Sequence, residues 1–272
     1  MLVIVRILIA ALLVCAGLTP AGAAPPAVGI VLMHGLAGLP LGSGPRANGN
    51  GLVASLRKAG FLVDAPEMCW SQRRIYDRPL TECYADIDAS IARLRAQGAT
   101  AMVLGGMSMG GNAALGYAST HTGLIGVIAC APAHDAGTLG YTPRIEAALA
   151  AAKEAIAAGK GDVPQTFPDS DSSRRGGPQF TVRASPRAYV SFLDPSGPAN
   201  IEGDLPQITV PVIWVAGTQD PTQSSSADNF ARLPANPNSK YVSVNADHLE
   251  TPDAGAAAIV NWVRALAAAQ GS

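Results

Sequence analysis

The sequence predicts an α/β fold: a mostly parallel sheet with helices on both faces and a cap inserted between two core strands. Three observations lead there. Short apolar runs recur without strict alternation, at Val28 to Met33, Ala101 to Leu104, Leu124 to Cys130, Val210 to Ala216 and Tyr241 to Val244. Strands that read as continuous apolar runs are buried on both faces, as in parallel sheets. Segments of helical periodicity lie between most of them, the pattern of right-handed βαβ units. Finally, 48% of the 272 residues are apolar, enough for a core of one domain rather than two.

Each element has its own signal. Val28 to Met33 ends at His34-Gly35, where a glycine-rich loop begins and runs to Gly51. Leu52 to Ala59 reads as helix and stops at Gly60. Phe61 to Val63 is the next strand, and Trp70 to Pro79 is polar and aromatic, hence loop. Tyr84 to Gln97 places Ile87, Ile91 and Leu94 on one helical face and ends at Gly98. Ala101 to Leu104 runs into Gly105-Gly106-Met107-Ser108-Met109-Gly110-Gly111, and Asn112 to Ser119 follows as helix. The closing helix, Ala254 to Ala268, carries Ile259, Trp262, Val263 and Leu266. Between about 139 and 205 the alternation breaks: an Ala-rich helix (Pro143 to Ala158) is followed by a stretch rich in Gly, Pro, Ser and Asp. Insertions of this length between core strands are usually functional or mobile, so it reads as a cap or lid.

Charge and termini narrow the partners. Only 14% of residues are charged and the net charge is −1, so no basic field exists to hold nucleic acid. Met1 to Leu18 is apolar except for Arg6, and Ala21-Gly22-Ala23 follows as a small-x-small cleavage signal. Residues 1–23 therefore read as a signal peptide and 24–272 as a secreted or periplasmic domain, without stable membrane association after cleavage. The alternative is an uncleaved anchor, because the apolar run is nearly long enough to span a bilayer. Cys15 follows Val14 rather than a small residue, which argues against lipid attachment. In an exported chain Cys69 and Cys83, close in sequence and both at loop edges, are the candidate disulfide. Cys130 ends an apolar run and reads as a buried thiol. These spacings make no metal site.

The residues that can carry chemistry each follow an apolar run. Gly106-Met107-Ser108-Met109-Gly110 fits Gly-x-Ser-x-Gly, in which small residues let strand and helix close on a strained serine turn. A serine hydroxyl needs an imidazole to take its proton and a carboxylate to orient that imidazole. His248, between the last strand and the closing helix, is the leading base. Asp220, in Gly217-Thr218-Gln219-Asp220 after Val210 to Ala216, is the leading acid, although it also fits a turn residue before Pro221. Asp135, beside His134 after another strand, competes with it. The N–H groups of Leu36, after His34-Gly35, and of Met109, after the serine, are placed to be oxyanion donors. His34 itself reads as loop-shaping.

His34-Gly35, Gly106-x-Ser108-x-Gly110, Gly217-x-x-Asp220 and His248, in this order, resemble the α/β-hydrolase superfamily over about Val28 to Leu266, the insertion excepted. The resemblance implies that fold, a Ser–Asp–His triad and hydrolysis of a carboxylic ester through an acyl-enzyme on Ser108, with no metal or organic cofactor. It departs from the fullest members by lacking two strands before Val28, and the oxyanion loop lacks the triple glycine of many lipases. A small esterase or dienelactone-hydrolase-like form fits best, with serine where dienelactone hydrolases carry cysteine. Trp70, Arg73, Arg74, Tyr76 and Asp77 cluster near the expected site. Of these, Trp70, Arg74 and Tyr76 are candidate substrate contacts: an arginine for a carboxylate, Trp70 as an acyl wall. Their alternative is a loop with Trp70 packed over the core. Arg174 and Arg175 are further candidates in the insertion. Two rival functions remain open: a peptidase or amidase using the same triad, and a catalytically inactive hydrolase fold serving as a binding module.

Overall fold

The computed structural model describes residues 27–132, 143–170 and 179–270. The leader segment 1–23, His134, Asp135, Arg174 and Arg175 lie outside the described residues. Eight strands are present: β1 (Val28–Met33), β2 (Leu62–Asp64), β3 (Ala101–Met107), β4 (Gly126–Cys130), β5 (Gln165–Ser170), β6 (Gln179–Ala184), β7 (Val212–Gly217) and β8 (Lys240–Val244). Six of them form one sheet in the order β2-β1-β3-β4-β7-β8, with every neighbouring pair parallel. The order reverses beside β1, so the chain winds outward in both directions from the centre. Loops leaving the carboxyl ends of the strands then gather along one edge.

The apolar runs split by residue parity, as the two-residue repeat of a strand requires. Ile30 and Leu32, Val103, Ile128, Ile213 and Val215 face one side. They pack there against helix α1 (Asn50–Lys58) and the closing helix α8 (Ala256–Gln270), through Leu52, Val53, Leu56, Ile259, Trp262, Val263 and Leu266. Val31 and Met33, Leu104, Val127, Ala129 and Trp214 face the other side. This face carries α2 (Tyr84–Ala96), α3 (Met109–Thr120) and the insertion. Helices α1 and α2 both stop at a glycine, Gly60 with φ 91° and Gly98 with φ 99°, where a Cβ would oppose the turn.

The insertion has more regular structure than its composition signals. Helix α4 (Pro143–Ala157) is followed by the antiparallel hairpin β5–β6 and by α5 (Pro186–Leu193). Gln165–Ser170 contains Pro168, and both strands are polar enough to read as loop; they form a separate two-stranded sheet. Helix α5 has the start signal that the composition masks: Ser185 accepts a hydrogen bond from the N–H of Ala188, and Pro186 stands at the first helical position. Leu149, Phe167, Val182, Tyr189 and Phe192 bury the insertion on the α2/α3 face of the sheet. Two short helices, α6 (Ser226–Ala231) and α7 (Thr251–Ala254), complete the described chain, and none of its helices is long and apolar enough to cross a membrane.

Candidate active site

Ser108 stands where β3 ends and α3 begins, with φ 51° and ψ −122°. An L-residue rarely holds such a conformation, which costs on the order of 1–3 kcal/mol and persists only where the surroundings fix it. Here they do. The Ser108 N–H donates to the Cys130 carbonyl at 2.9 Å, and the Ser108 carbonyl accepts from the Asn112 N–H at 3.0 Å. A Cβ on Gly106 would lie 2.5 Å from the Gly110 carbonyl carbon and 2.7 Å from the Met33 carbonyl oxygen; one on Gly110 would lie 2.5 Å from that same oxygen. These are backbone atoms without room to yield, so both positions of the motif require glycine. Met107 and Met109 are buried on either side, whereas Ser108 keeps part of its surface open.

Two further strand ends bring a carboxylate and an imidazole together. Gly217, the last residue of β7, has no room for a side chain: a Cβ would lie 2.5 Å from both the Ala246 carbonyl oxygen and Thr251 Oγ1. The loops after β7 and β8 can therefore press together. Asp220 Oδ2 lies 2.6 Å from His248 Nδ1, and both side chains are almost wholly buried. The other oxygen, Oδ1, accepts from the N–H of Thr222 at 2.9 Å and from its hydroxyl at 2.7 Å. Asp220 is thus the turn residue before Pro221 and the partner of His248 at once. Burial alone would raise the Asp220 carboxyl, but the bonds from His248 and Thr222 outweigh it and hold the group below the usual carboxylate range. Asp247 shapes the loop: its carboxylate accepts the N–H groups of Leu249 and Glu250.

The expected oxyanion donors are placed as follows. Met109 is the first residue of α3, so its N–H belongs to the set that no helical carbonyl satisfies. Leu36 follows Gly35, whose Cβ position would lie 3.2 Å from Ser108 Cβ; the loop after β1 therefore crosses directly over the serine. Every one of the five non-glycine residues with positive φ in the described chain lies in a loop on this edge. Ala37 follows β1, Ile75 and Tyr76 follow β2, Ser108 follows β3 and Ala131 follows β4.

The three candidate substrate contacts are engaged elsewhere. Trp70 and Tyr76 are fully buried. The Trp70 indole packs edge-on to Phe192 and donates to the His34 carbonyl oxygen at 2.9 Å. Tyr76 stacks on Phe192 and donates to Asp169 at 2.9 Å. Arg74 is bound by Asp77 at 2.6 Å and by Asp86 at 2.9 Å. Their chemistry is spent on packing and internal pairing, which corrects the picture of an open acyl wall with a carboxylate-binding arginine. Cys69 and Cys83 are joined as a disulfide in this same region, and Cys130 is a buried free thiol that burial pushes up to about 12.

Sequence reasoning missed Thr222 and Gln223. Thr222 holds Asp220, and Gln223 ties that turn to the end of β4 by donating to the Pro132 carbonyl oxygen at 3.1 Å. The signal for Thr222 was present in Asp220-Pro221-Thr222, since an aspartate ahead of proline characteristically accepts from the N–H two residues on. Nothing local marks Gln223, whose partner is 91 residues away.

The model of the Alpha/beta hydrolase family matches residues 30–259. No curated protein sequence matches the chain. Among solved structures it is similar to the monoacylglycerol lipase of Paleococcus ferrophilus, at 23% identity and TM-score 0.63, covering 88% of this chain and 94% of that one. It is also similar to a structure of the metagenome-derived lipolytic enzymes LipS and LipT, at 18% identity and TM-score 0.60, with 90% and 95% covered. A thermostable carboxyl esterase from Bacillus coagulans matches at 16% identity and TM-score 0.57, with 90% and 92% covered. At these identities the structures share the fold, whereas the family model spans most of the sequence. The chain belongs to the alpha/beta hydrolase family.

Proposed function

We propose that this chain is an exported carboxylic-ester hydrolase acting through an acyl-enzyme on Ser108, with His248 as base and Asp220 as its orienting acid. The reading rests above all on one arrangement: a strained, partly open serine turn on the same sheet edge as a buried Asp–His pair. The lipase and esterases of similar fold favour an ester as the bond cleaved.

The chemistry follows from the geometry. With Nδ1 of His248 donating to Asp220, Nε2 is the nitrogen left to take the Ser108 proton as Oγ attacks the ester carbonyl. Negative charge developing on the carbonyl oxygen is met by the N–H groups of Met109 and Leu36 and by the positive end of α3. Collapse expels the alcohol, which takes the proton from His248. A water then repeats the sequence on the acyl-enzyme and frees the acid. No metal or organic cofactor is called for. The insertion over the α2/α3 face serves as the cap, and residues 1–23 as the export signal.

Treating the purified protein with a fluorophosphonate and mapping the adduct by mass spectrometry tests the core of this reading. Label on Ser108, absent in Ser108→Ala, is expected; a folded protein that takes no label points to an inactive binding module. Matched ester and amide substrates then separate esterase from amidase, and a mature N-terminus at Ala24 in the exported protein tests the leader.

A further inference from the structure

The segment Met68–Gln72 lies behind the loop that crosses Ser108, and it touches that loop at four points. Met68 N–H donates to His34 Nε2 at 3.1 Å. The Trp70 indole N–H donates to the His34 carbonyl oxygen at 2.9 Å. Ala37 N–H donates to the Trp70 carbonyl oxygen at 2.9 Å, and Gln72 N–H to the Gly38 carbonyl oxygen at 3.0 Å. These bonds bracket Leu36 on both sides. His34 takes part as a neutral ring: Nε2 accepts from Met68, so Nδ1 carries the proton and donates to the Gly35 carbonyl oxygen at 2.7 Å. Burial, which lowers the basicity of His34, favours that form.

The segment is itself fastened. Cys69 is bridged to Cys83, the residue that caps the start of α2. Arg74 binds the Glu67 carbonyl oxygen at 3.0 Å together with Asp77 and, on α2, Asp86. Ile75 and Tyr76 hold positive φ, a conformation that relaxes once its surroundings let go.

We propose that Met68–Gln72 is a strap that sets the oxyanion loop, with Trp70 and His34 as positioning residues and the Cys69–Cys83 bridge as its anchor, so that turnover depends on the bridge being closed. This rests on the serine-hydrolase reading above. None of these residues touches substrate; the strap acts by holding the Leu36 N–H where the oxyanion forms. Displacement by about 1 Å there can cost on the order of 10²-fold in rate.

Two perturbations test it. Trp70→Phe keeps a ring in the core and removes the indole N–H. Dithiothreitol opens the bridge: two electrons and two protons convert Cys69 and Cys83 to thiols while the reagent closes to its cyclic disulfide. Mass spectrometry after alkylation reports opening at both cysteines. Turnover of p-nitrophenyl butyrate is normalised to Ser108 titrated by fluorophosphonate, which removes any misfolded fraction. Both perturbations should lower kcat on the order of 10- to 100-fold with KM nearly unchanged. They should weaken inhibition by phenylboronic acid, whose tetrahedral serine adduct uses the oxyanion donors, in proportion to kcat, and air reoxidation should restore both. Normal kcat per titrated serine with the bridge verified open overturns the strap, whether or not Trp70→Phe folds. A fall in KM-limited binding alone, with boronate affinity intact, overturns it as well. No label on wild-type Ser108 overturns the serine reading itself, a result distinct from either.

Discussion

The two faces of the sheet are closed by different means. On the α1/α8 side the contacts are almost wholly apolar: Leu52, Leu56, Ile259, Trp262 and Val263 meet Ile30, Leu32, Val103, Ile128, Ile213 and Val215 of the strands. On the α2/α3 side a comparable apolar layer is overlaid by a disulfide, a chain of ion pairs around Arg74, the insertion and most of the buried aromatic rings. All five non-glycine residues of positive φ in the described chain lie on the carboxyl edge, and two of them, Ile75 and Tyr76, sit in the loop that joins this second layer. The first face needs only volume and hydrophobicity, which many side chains can supply. The second must hold particular atoms in particular places, and does so with directional bonds.

That contrast can be broken from either side. The largest effect is expected at the serine: Ser108→Ala should remove on the order of 10⁶ in turnover, by analogy with triads that act as a unit, while a thermal melt stays cooperative. Asp220→Asn should cost on the order of 10⁴ in kcat by leaving His248 in the wrong tautomer. It also carries a pH signature. The Asp220 carboxyl is held low in the folded chain, so its contribution to stability is complete above the unfolded value near ~3.9 and is lost as pH falls through the lower folded value. Melting midpoints of wild type and Asp220→Asn should therefore differ at neutral pH and converge in acid.

On the opposite face, Trp262→Ala should cost about 3–5 kcal/mol in urea unfolding, since the ring is buried against the sheet and its N–H bonds the Asn238 carbonyl oxygen at 2.6 Å. The same variant should keep its kcat per titrated Ser108. A large drop in kcat there would erase the division between the faces. The smallest effect belongs to the surface of the insertion: Arg187 and Asp162 are 3.0 Å apart but both more than half exposed, so Arg187→Gln should shift stability by less than about 1 kcal/mol.

The sheet was legible because its strands are buried on both faces and so announce themselves as unbroken apolar runs; the boundaries shifted by only a few residues, and β3 extends through Gly105 and Gly106 to Met107. The placement of Ser108, Asp220 and His248 on one sheet edge was legible, since each comes within a few residues of the end of such a run, where strand ends meet in an open parallel sheet. Hairpin β5–β6 was not, since its few core-facing residues, Phe167, Val182 and Ala184, are set among polar neighbours and Pro168 and its strands pair only with each other. For Trp70, Arg74 and Tyr76 the loop reading, with Trp70 packed over the core, is the one that the contacts favour. Their residue types suit substrate contact, but their work is done through partners 36, 12 and 93 residues away, which local pattern does not encode.

The separate pairing of β5 with β6 has a consequence for engineering. Strand register in the main sheet does not depend on the hairpin, so its sequence can be diversified, or a homologous segment grafted, without renegotiating any pairing in the scaffold. Grafts should retain the apolar anchors Leu149, Phe167, Tyr189 and Phe192, which seat the segment on its neighbours. Asp169 of β5 should be kept as well, because it accepts from the Tyr76 hydroxyl at 2.9 Å and so ties the hairpin to the loop after β2. Within those limits, the hairpin offers a natural place to evolve new selectivity.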